Sequence, residues 1–284
     1  MKVAMVGLGR MGFPMARHMQ EAGHDVVGFD ESPVALQKAA AAGMVIADGL
    51  AGVKDVELVC SSLPATPQVE AVYGQVFKLV KEGTVCADLS TIGVEASRNL
   101  AALAADHGIR FLDTPVSGTS IHADAGTLVV MVGGEDDALA VARPALETFA
   151  SRVEHVGPNG SGLLLKLITN RLLTSHLTAM AEAVLDLEAV GLDVWQGIEM
   201  IRSGAVAKLL EYKAAPLVDR DFTPTFTVNL MRKDLGLAAE ALPAARVGSL
   251  TRQILEEAGE LGYGEADLAA LIKALETGPT GEAT

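Results

Sequence analysis

The first half of the chain alternates short apolar runs with longer stretches in which apolar residues recur at helical spacing. The apolar runs predict β-strands at Val3–Val6, Asp25–Phe29, Glu57–Ser61, Thr84–Asp88, Arg110–Leu112 and Leu128–Val132, and the run Val153–Val156 could extend the sheet. The stretches between them predict helices that begin near Gly12 and at Pro33–Ala42, Thr66–Val80, Val94–His107 and Asp136–Ala150. This alternation is typical of a mostly parallel sheet with helices on both faces.

The pattern changes after Gly157. Apolar residues at helical spacing from Ser161 to Val190 predict one long helix. Further helices are predicted at Val194–Ser203, Val206–Lys213, Val228–Ala241, Val247–Glu260 and Ala266–Leu275, and a frayed tail from Glu276. We therefore expect an α/β fold with two domains. Residues 1–160 form a doubly wound Rossmann-type sheet domain, and residues 161–284 form an all-helical domain led by the long interdomain helix.

A glycine pattern directly follows the first predicted strand and precedes a helix. In Gly7-Leu8-Gly9-Arg10-Met11-Gly12, the first glycine permits a tight turn, Gly9 leaves room for a pyrophosphate, and Gly12 allows close helix–strand packing. Asp30 ends the second strand, 23 residues after Gly7, where a carboxylate binds ribose hydroxyls and repels a 2′-phosphate. A turn without a ligand explains the glycines but not the acid. We therefore predict NAD as the cofactor, with NADP possible.

Polar segments follow the next three strands. Open α/β sheets bind ligands outside the carboxyl ends of their strands, so Ser61–Pro64, Asp88–Thr91 and Asp113–Thr119 should meet at one edge. Turn and helix-cap chemistry is an alternative for each segment, and it has most weight for Ser90-Thr91. Hydroxyls on both sides of a glycine at Ser117-Gly118-Thr119 are typical of a nest for a small anion.

Lys166 and Asn170 are four residues apart on the long predicted helix and therefore share one face. A lysine among leucines either extends to water or faces a cleft. Because Lys166 lies on the first turns of the helix that leaves the sheet domain, we expect it in the domain cleft, as an acid/base group. Judged from residue type alone, Lys233 and Asp234 are predicted to be an ordinary solvated ion pair.

Composition limits the classes of partner. The formal net charge of −14 argues against nucleic acid, and no apolar run approaches the ~20 residues that span a bilayer. The N-terminus is strand-like, so we expect no signal peptide and a cytoplasmic protein. The two cysteines, Cys60 and Cys86, are predicted to be buried free thiols. The long apolar helix favours a homodimer or homotetramer.

No metal site is expected. The acidic set Glu182, Asp186 and Glu188 on the long helix has no histidine or cysteine at ligand spacing, so it is predicted to be a solvated face. Local basic groups must then compensate the acidic surface wherever an anionic substrate binds.

These residues, in this order, resemble the β-hydroxyacid dehydrogenase family, which includes 3-hydroxyisobutyrate dehydrogenases, tartronate semialdehyde reductases and succinic semialdehyde/glyoxylate reductases. The resemblance runs from Lys2 to about Leu275. The motifs that carry it are Gly7–Ala16, Asp113–Gly118, Gly162 with Lys166 and Asn170, and Lys233-Asp234-Leu235.

The resemblance implies hydride transfer between a nicotinamide and a small 3-hydroxy acid or the corresponding semialdehyde. It makes Lys166 the general acid/base and gives Asn170 the tasks of holding substrate and placing the lysine. It places the substrate carboxylate on Ser117, Gly118 and Thr119, and has Lys233 reach cofactor and substrate. It assigns contacts with the nicotinamide half of the cofactor to Leu63, Pro64, Gln68 and Thr91.

Thr119 and Asp30 point to different members of the family, which leaves the substrate open. Thr119 stands where many members have a second glycine, and it either narrows the pocket or adds a hydroxyl. Reductases of the family with a polar residue there tend to use NADP, whereas Asp30 favours NAD. The alternatives are a broad aldehyde or imine reductase of the same fold and a non-catalytic dinucleotide-binding module. Lys166 argues against both, since imine reductases replace it and a module does not need it.

Overall fold

The structure, a computed structural model, describes residues 1–203, 207–242 and 246–277. The chain divides into two compact units, which part between Lys166 and Leu167 inside a single helix. The predicted domain boundary at residues 160 and 161 lies just before that helix and stays a prediction.

The first unit is built on one nine-stranded sheet. Its strands are β1 (Lys2–Val6), β2 (Asp25–Phe29), β3 (Val45–Ile46), β4 (Leu58–Ser61), β5 (Val85–Asp88), β6 (Arg110–Asp113), β7 (Val116–Ser117), β8 (Leu128–Gly133) and β9 (Ala150–Gly157). Their order is β3-β2-β1-β4-β5-β6-β8-β7, and β9 pairs with β8. Only the pairings of β8 with β6 and β7 are antiparallel within the described sheet, so the predicted mostly parallel sheet is confirmed.

Helices connect these strands in sequence. They are α1 (Gly12–Glu21), α2 (Pro33–Ala41), α3 (Thr66–Leu79), α4 (Val94–Asp106), α5 (Ser120–Asp124) and α6 (Asp136–Leu146). The central strands are buried along their whole length, as the sequence pattern Leu-Val-Cys-Ser of β4 and Val-Cys-Ala-Asp of β5 indicates for a sheet covered on both faces. Cys60 and Cys86 are buried free thiols, as predicted.

The second unit is helical. It contains most of α7 (Ser161–Ala189), then α8 (Val194–Arg202), α9 (Ala207–Val218), α10 (Val228–Ala241), α11 (Arg246–Ala258) and α12 (Ile272–Thr277). A π-helical turn, Gly259–Tyr263, and a 3₁₀ turn, Leu268–Leu271, separate the last two helices. The fold class is therefore confirmed: a Rossmann-like sheet domain is followed by a mostly helical part.

Several predicted boundaries are wrong. Helix α6 stops at Leu146, and Ala150 begins β9, where it pairs with Leu128 of β8. Helix α9 continues past Lys213 and contains Pro216, and its predicted first residue, Val206, lies outside the described residues. Glu276 belongs to α12 and pairs with Arg220 and Lys273, so it is not part of a frayed tail. The tail beyond Thr277 lies outside the described residues.

Candidate functional site

The glycine turn between β1 and α1 has the features that a dinucleotide needs. Gly7 has φ +92°, and a Cβ on it would overlap the Ser62 carbonyl oxygen. A Cβ on Gly12 would overlap the Gly7 carbonyl oxygen, so the helix lies directly against the turn. A Cβ on Gly9 would meet nothing within 4 Å, which leaves open space over this part of the backbone. Room at Gly9 and tight packing at the other two glycines fit a bound pyrophosphate.

The N-terminus of α1 and the side chain of Asp30 complete the turn. Helix α1 has no side-chain cap and no acidic residue in its first turn, so its N-terminal N–H groups present positive potential. Asp30 Oδ2 accepts a hydrogen bond of 2.7 Å from the N–H of Leu8, and Oδ1 accepts one of 2.7 Å from the N–H of Ser32. The carboxylate is therefore fixed beside the glycine turn. Arg10 and Met11 lie between these features in the turn.

The loops that follow β4 and β5 are tied to each other at the same sheet edge. The N–H of Leu63 donates to Ser90 Oγ at 2.9 Å, and the N–H of Gly93 donates to Thr66 Oγ1 at 3.0 Å. Pro64 and Gln68 are exposed, and Thr91 is half-buried. The structure thus brings Leu63, Pro64 and Thr91 onto adjoining loops, with Gln68 on the first turn of α3.

The turn at Ser117, Gly118 and Thr119 contains a hydrogen bond to His122 that the sequence pattern does not predict. Gly118 has φ +133°, so the position favours glycine. The N–H of Thr119 donates to Nδ1 of His122 at 3.1 Å, and this bond is half of a capping box on the short helix α5. Because a backbone N–H can only donate, Nδ1 is the acceptor, and the neutral ring carries its proton on Nε2. His122 therefore occupies one donor that the nest hypothesis assigned to substrate.

The start of α7 is fastened to the ends of β6 and β8. The Asp113 carboxylate accepts hydrogen bonds from the N–H groups of Gly160 (2.7 Å) and Leu163 (3.0 Å). A Cβ on Gly162 would overlap the Met131 carbonyl oxygen, so only glycine allows this approach. Burial raises the pKa of Asp113, and the backbone hydrogen bonds to the carboxylate oppose that shift. The first turn of α7 is thereby held against the sheet.

Lys166 lies one turn beyond Gly162 and therefore on the same face of α7. Its relative exposure is 7%, which contradicts the alternative that the side chain extends to water. Leu163 and Leu167, on either side of it in sequence, are completely buried. A buried lysine on an anchored turn is unusual unless it is engaged or has a task.

In the second unit, side chains position one another. Asn170 (3% exposed) donates from Nδ2 to Asp234 Oδ2 at 2.6 Å, and the Lys233 ammonium lies 3.1 Å from Asp234 Oδ1. Because an ionised carboxylate only accepts, the amide nitrogen of Asn170 must face Asp234, and the amide oxygen is directed elsewhere. Lys233 and Asp234 are thus not the ordinary solvated pair that the residues alone indicated, because Asp234 is 2% exposed.

Sequence reasoning gave no role to Asp113, His122 or Asp234. Asp113 and Asp234 lie within motifs that carry the family resemblance, so their places beside Pro115 and Lys233 could have indicated a role. The place of His122, three residues after a threonine at a helix start, is a weaker indication of its role.

Among the described residues, no group of three or more His, Cys, Asp or Glu side chains could hold a metal ion. Within the same part of the chain, no helix has the length and apolar character needed to cross a membrane.

The sheet topology, the open glycine turn and the placement of Asp30 are those of a dinucleotide-binding domain of the Rossmann class. Two family models match almost the whole chain. The model for the NAD-binding domain of 6-phosphogluconate dehydrogenase matches residues 2–157, and the model for the NAD-binding part of NADP-dependent 3-hydroxyisobutyrate dehydrogenase matches residues 160–275.

Individual relatives agree with these models. The chain is 35% identical to a probable 3-hydroxyisobutyrate dehydrogenase of Mycobacterium tuberculosis, over 96% of this chain and 97% of the relative. It is also 35% identical, with the same coverage, to an NAD-dependent L-serine dehydrogenase of Pseudomonas aeruginosa. A solved structure of the M. tuberculosis 3-hydroxyisobutyrate dehydrogenase with L-serine superposes with a TM-score of 0.88 at 34% identity, covering 96% of this chain and 98% of that one.

The chain therefore belongs to the β-hydroxyacid dehydrogenase family and is an NAD(P)-dependent 3-hydroxyacid dehydrogenase. The residues of the glycine turn fit this cofactor, since Gly9 leaves space for a ligand and the N-terminus of α1 has no side-chain cap.

Proposed function

We propose that the protein transfers a hydride between NAD and a small 3-hydroxy acid or its semialdehyde, with Lys166 as general acid/base. The observation that carries this proposal is the placement of Lys166. It is a buried amine on a helical turn that Asp113 and Gly162 fasten to the ends of two strands, in the same unit as the glycine turn. Anchoring of this kind restricts where an acid/base group can reach, which catalysis requires.

The chain's own groups divide the remaining tasks. Bound NAD would supply the hydride acceptor for oxidation of the carbinol carbon, and NADH the hydride donor for reduction of the aldehyde carbon. Lys166 Nζ takes the hydroxyl proton during oxidation and gives it back during reduction. Asn170, held by Asp234, presents its amide oxygen as an acceptor for substrate. Lys233 contributes positive charge for substrate and cofactor.

The substrate carboxylate is assigned to the turn Ser117-Gly118-Thr119. The Ser117 hydroxyl and the remaining backbone donors of the turn are the proposed partners, since His122 holds the Thr119 N–H. The relatives support a 3-hydroxy acid with a small substituent on the neighbouring carbon. One relative is named an L-serine dehydrogenase, and the solved M. tuberculosis structure contains L-serine, which is itself a 3-hydroxy acid.

NAD is the proposed cofactor because Asp30 is fixed beside the glycine turn by two backbone hydrogen bonds. A carboxylate there accepts from both ribose hydroxyls and repels a 2′-phosphate. Gly7, Leu8, Gly9, Arg10, Met11 and Gly12 are proposed to hold the pyrophosphate. Leu63, Pro64, Gln68 and Thr91 are proposed to contact the nicotinamide half.

We also propose that the chain forms a homodimer or homotetramer through α7. Ile168, Leu172 and Leu173 on this helix are 42%, 58% and 41% exposed. Exposed aliphatic side chains grouped on one helix favour association.

The experiment is a substrate panel with matched charged and neutral members, each assayed with NAD and with NADP. 3-Hydroxyisobutyrate, L-serine and 3-hydroxypropionate are compared with the methyl ester of 3-hydroxyisobutyrate, which keeps the hydroxyl and loses the charge. A hydrogen bond to a charged group is worth about 1.5–3 kcal/mol, so the acid should exceed the ester by about 10- to 150-fold in kcat/KM.

Ser117→Ala provides the control for the panel. This variant should lower turnover of the acid and leave turnover of the ester unchanged. Equal turnover of acid and ester by the native enzyme would contradict the carboxylate site and favour the broad aldehyde reductase.

A further inference from the structure

The strongest feature without a role in this function is a buried carboxylate beneath the cofactor edge. Asp88 ends β5 and is 1% exposed. Its Oδ1 atom accepts hydrogen bonds from Ser61 Oγ at 2.7 Å, from Ser90 Oγ at 2.6 Å and from the N–H of Ser90 at 3.1 Å. A buried carboxylate is costly to keep ionised, so three donors on one oxygen indicate a site built to hold its charge.

The direction of these bonds is determined by the donors at the two ends. The N–H of Leu63 can only donate, so Ser90 Oγ accepts it and sends its own proton to Asp88. Ser61 likewise gives its proton to Asp88 and must accept from the Tyr73 hydroxyl, 2.8 Å away. Asp88 is therefore the common acceptor of two converging chains of hydrogen bonds, and one of them ends at the Leu63 backbone.

That chain of bonds fastens a loop that borders the glycine turn. Strand β4 lies next to β1 in the sheet, so the Leu63 loop follows the strand beside the turn. Leu63 Cδ2 lies 3.1 Å from the position that a Cβ on Gly7 would take. The loop therefore approaches the turn closely where Gly7 has no side chain, and the bond from Leu63 to Ser90 fastens the loop to the segment that follows β5.

We propose that Asp88 is a positioning residue for the cofactor: through Ser90 it holds the Leu63-Pro64 loop in the conformation that receives the nicotinamide half. The proposal rests on the proposed function only in assigning Leu63 and Pro64 to that half of the dinucleotide. Asp88 touches neither cofactor nor substrate in this account and acts through the Ser90 hydroxyl.

Protonation of Asp88 is expected to weaken this hydrogen-bond network. Burial raises the pKa of Asp88 to about 6, against the opposing effect of the hydrogen bonds from Ser90 and Ser61. The other titratable groups around it are the Tyr73 phenol on α3, the thiols on β4 and β5, and Asp113 on β6. Burial raises the pKa of the phenol and of both thiols, so these groups stay neutral between pH 5 and 8 in this account. A protonated Asp88 is a weaker acceptor, because charge-assisted hydrogen bonds are about twice as strong as neutral ones.

The test measures binding of NADH and of ADP-ribose, which lacks the nicotinamide, to the full-length protein without substrate. Asp88→Asn should lower the affinity for NADH about five-fold, which corresponds to the difference between a charge-assisted and a neutral hydrogen bond. The affinity for ADP-ribose should stay within about two-fold of native. Ser90→Ala, which keeps the carboxylate and removes the link, should give the same result. The double variant should be no weaker than either single variant, because both act on one chain of bonds.

Ser61→Ala is the matched control. It removes the other hydroxyl from the same carboxylate oxygen and leaves the Leu63–Ser90 bond in place, so NADH affinity should stay within about two-fold of native.

The affinity of the native protein for NADH should also fall as pH drops through 6, and Ser90→Ala should flatten that pH dependence. Unchanged NADH binding in both Asp88→Asn and Ser90→Ala overturns the proposal. Equal weakening of NADH and ADP-ribose also overturns it, because the loop would then not act on the nicotinamide half.

The pH dependence of stability checks that Asp88 is the group that titrates. Its pKa is raised in the folded protein, so the folded state retains a proton that the unfolded chain has released between pH 4 and 6. The free energy of unfolding should therefore fall as pH rises through this window. Asp88→Asn should remove part of this decrease in the free energy of unfolding. The rest is assigned to Asp113, because burial raises its pKa as well. These readings need no substrate, so an incorrect substrate assignment would not alter them.

Discussion

The two units of this protein place their functional groups in different ways. In the sheet unit, the backbone positions the functional groups. The chain turns at Gly7, the N–H of Leu8 donates to Asp30, and N–H groups at the start of α7 donate to Asp113. In the helical unit, side chains on two different helices hold each other, as Asn170 and Asp234 do. Backbone placement depends on where strands end, and side-chain placement depends on which helix faces meet.

This difference predicts two kinds of failure. In the backbone-built part, a side-chain atom added where backbone already packs against backbone has no space, and the local fold gives way. A change in the side-chain-built part leaves a donor or acceptor unpaired, and the fold survives with its chemistry impaired.

Two glycines of the same turn should behave in opposite ways. Gly12→Ala places a Cβ on the Gly7 carbonyl oxygen, so it should cost at least about 1–3 kcal/mol of stability and abolish NADH binding. Gly9→Ala meets nothing within 4 Å, so its stability should stay within about 0.5 kcal/mol of native while NADH binding is lost. Chemical denaturation and fluorescence titration measure both quantities. Native NADH affinity in Gly9→Ala would contradict the assignment of that open space to the pyrophosphate.

The side-chain-built pair is best tested by exchanging its members. Asp234→Asn leaves a single oxygen for two donors, the Asn170 amide and the Lys233 ammonium. One donor then loses its acceptor, so kcat/KM should fall by about 10- to 150-fold. The double variant N170D/D234N restores one amide and one carboxylate at hydrogen-bond distance. It should recover most of the melting temperature that Asp234→Asn loses. Activity should stay low, because position 170 then carries a negative charge, which repels the carboxylate of the substrate.

The exchange separates a structural role from a functional one. Recovery of both stability and turnover in the double variant would show that the pair serves only to join the two helices.

Asp30 should have the smallest effect, a change in cofactor preference. Asp30→Asn removes the charge that repels a 2′-phosphate, so the ratio of kcat/KM with NAD to that with NADP should narrow at least about ten-fold. Glu31→Gln, an exposed neighbour with the same change in charge, should leave the ratio unchanged. A native enzyme that prefers NADP would refute this reading of Asp30.

The sequence predicts the backbone-built part well because its signals are local. Strand β1, the glycine turn and Asp30 follow one another within a short segment, and an apolar run followed by glycines has few alternatives. Strands β3 and β7 escaped prediction because two residues are too short to show a period. The cap of His122 on Thr119 also escaped, since a histidine rarely completes a capping box.

The side-chain-built part was less predictable for a different reason. Lys233 and Asp234 have the composition of a solvated pair, and only the meeting of α7 with α10 shows that Asp234 is buried against Asn170. Burial of Asp88 and its link to Leu63 likewise depend on contacts between loops far apart in sequence. Residue type and spacing do not contain that information.

The most direct test of the central claim compares Lys166→Ala with Lys166→Arg in steady-state turnover of the best 3-hydroxy acid, with the exposed Lys78→Arg as control. Arginine keeps the positive charge but does not release its proton near neutral pH, so a proton-transfer role predicts that both Lys166 variants lose at least about 100-fold in kcat. NADH affinity should be unchanged in both, and Lys78→Arg should match native. A Lys166→Arg enzyme that retains most of the native kcat would show that the site needs only charge at this position, and Lys166 would not be the general acid/base.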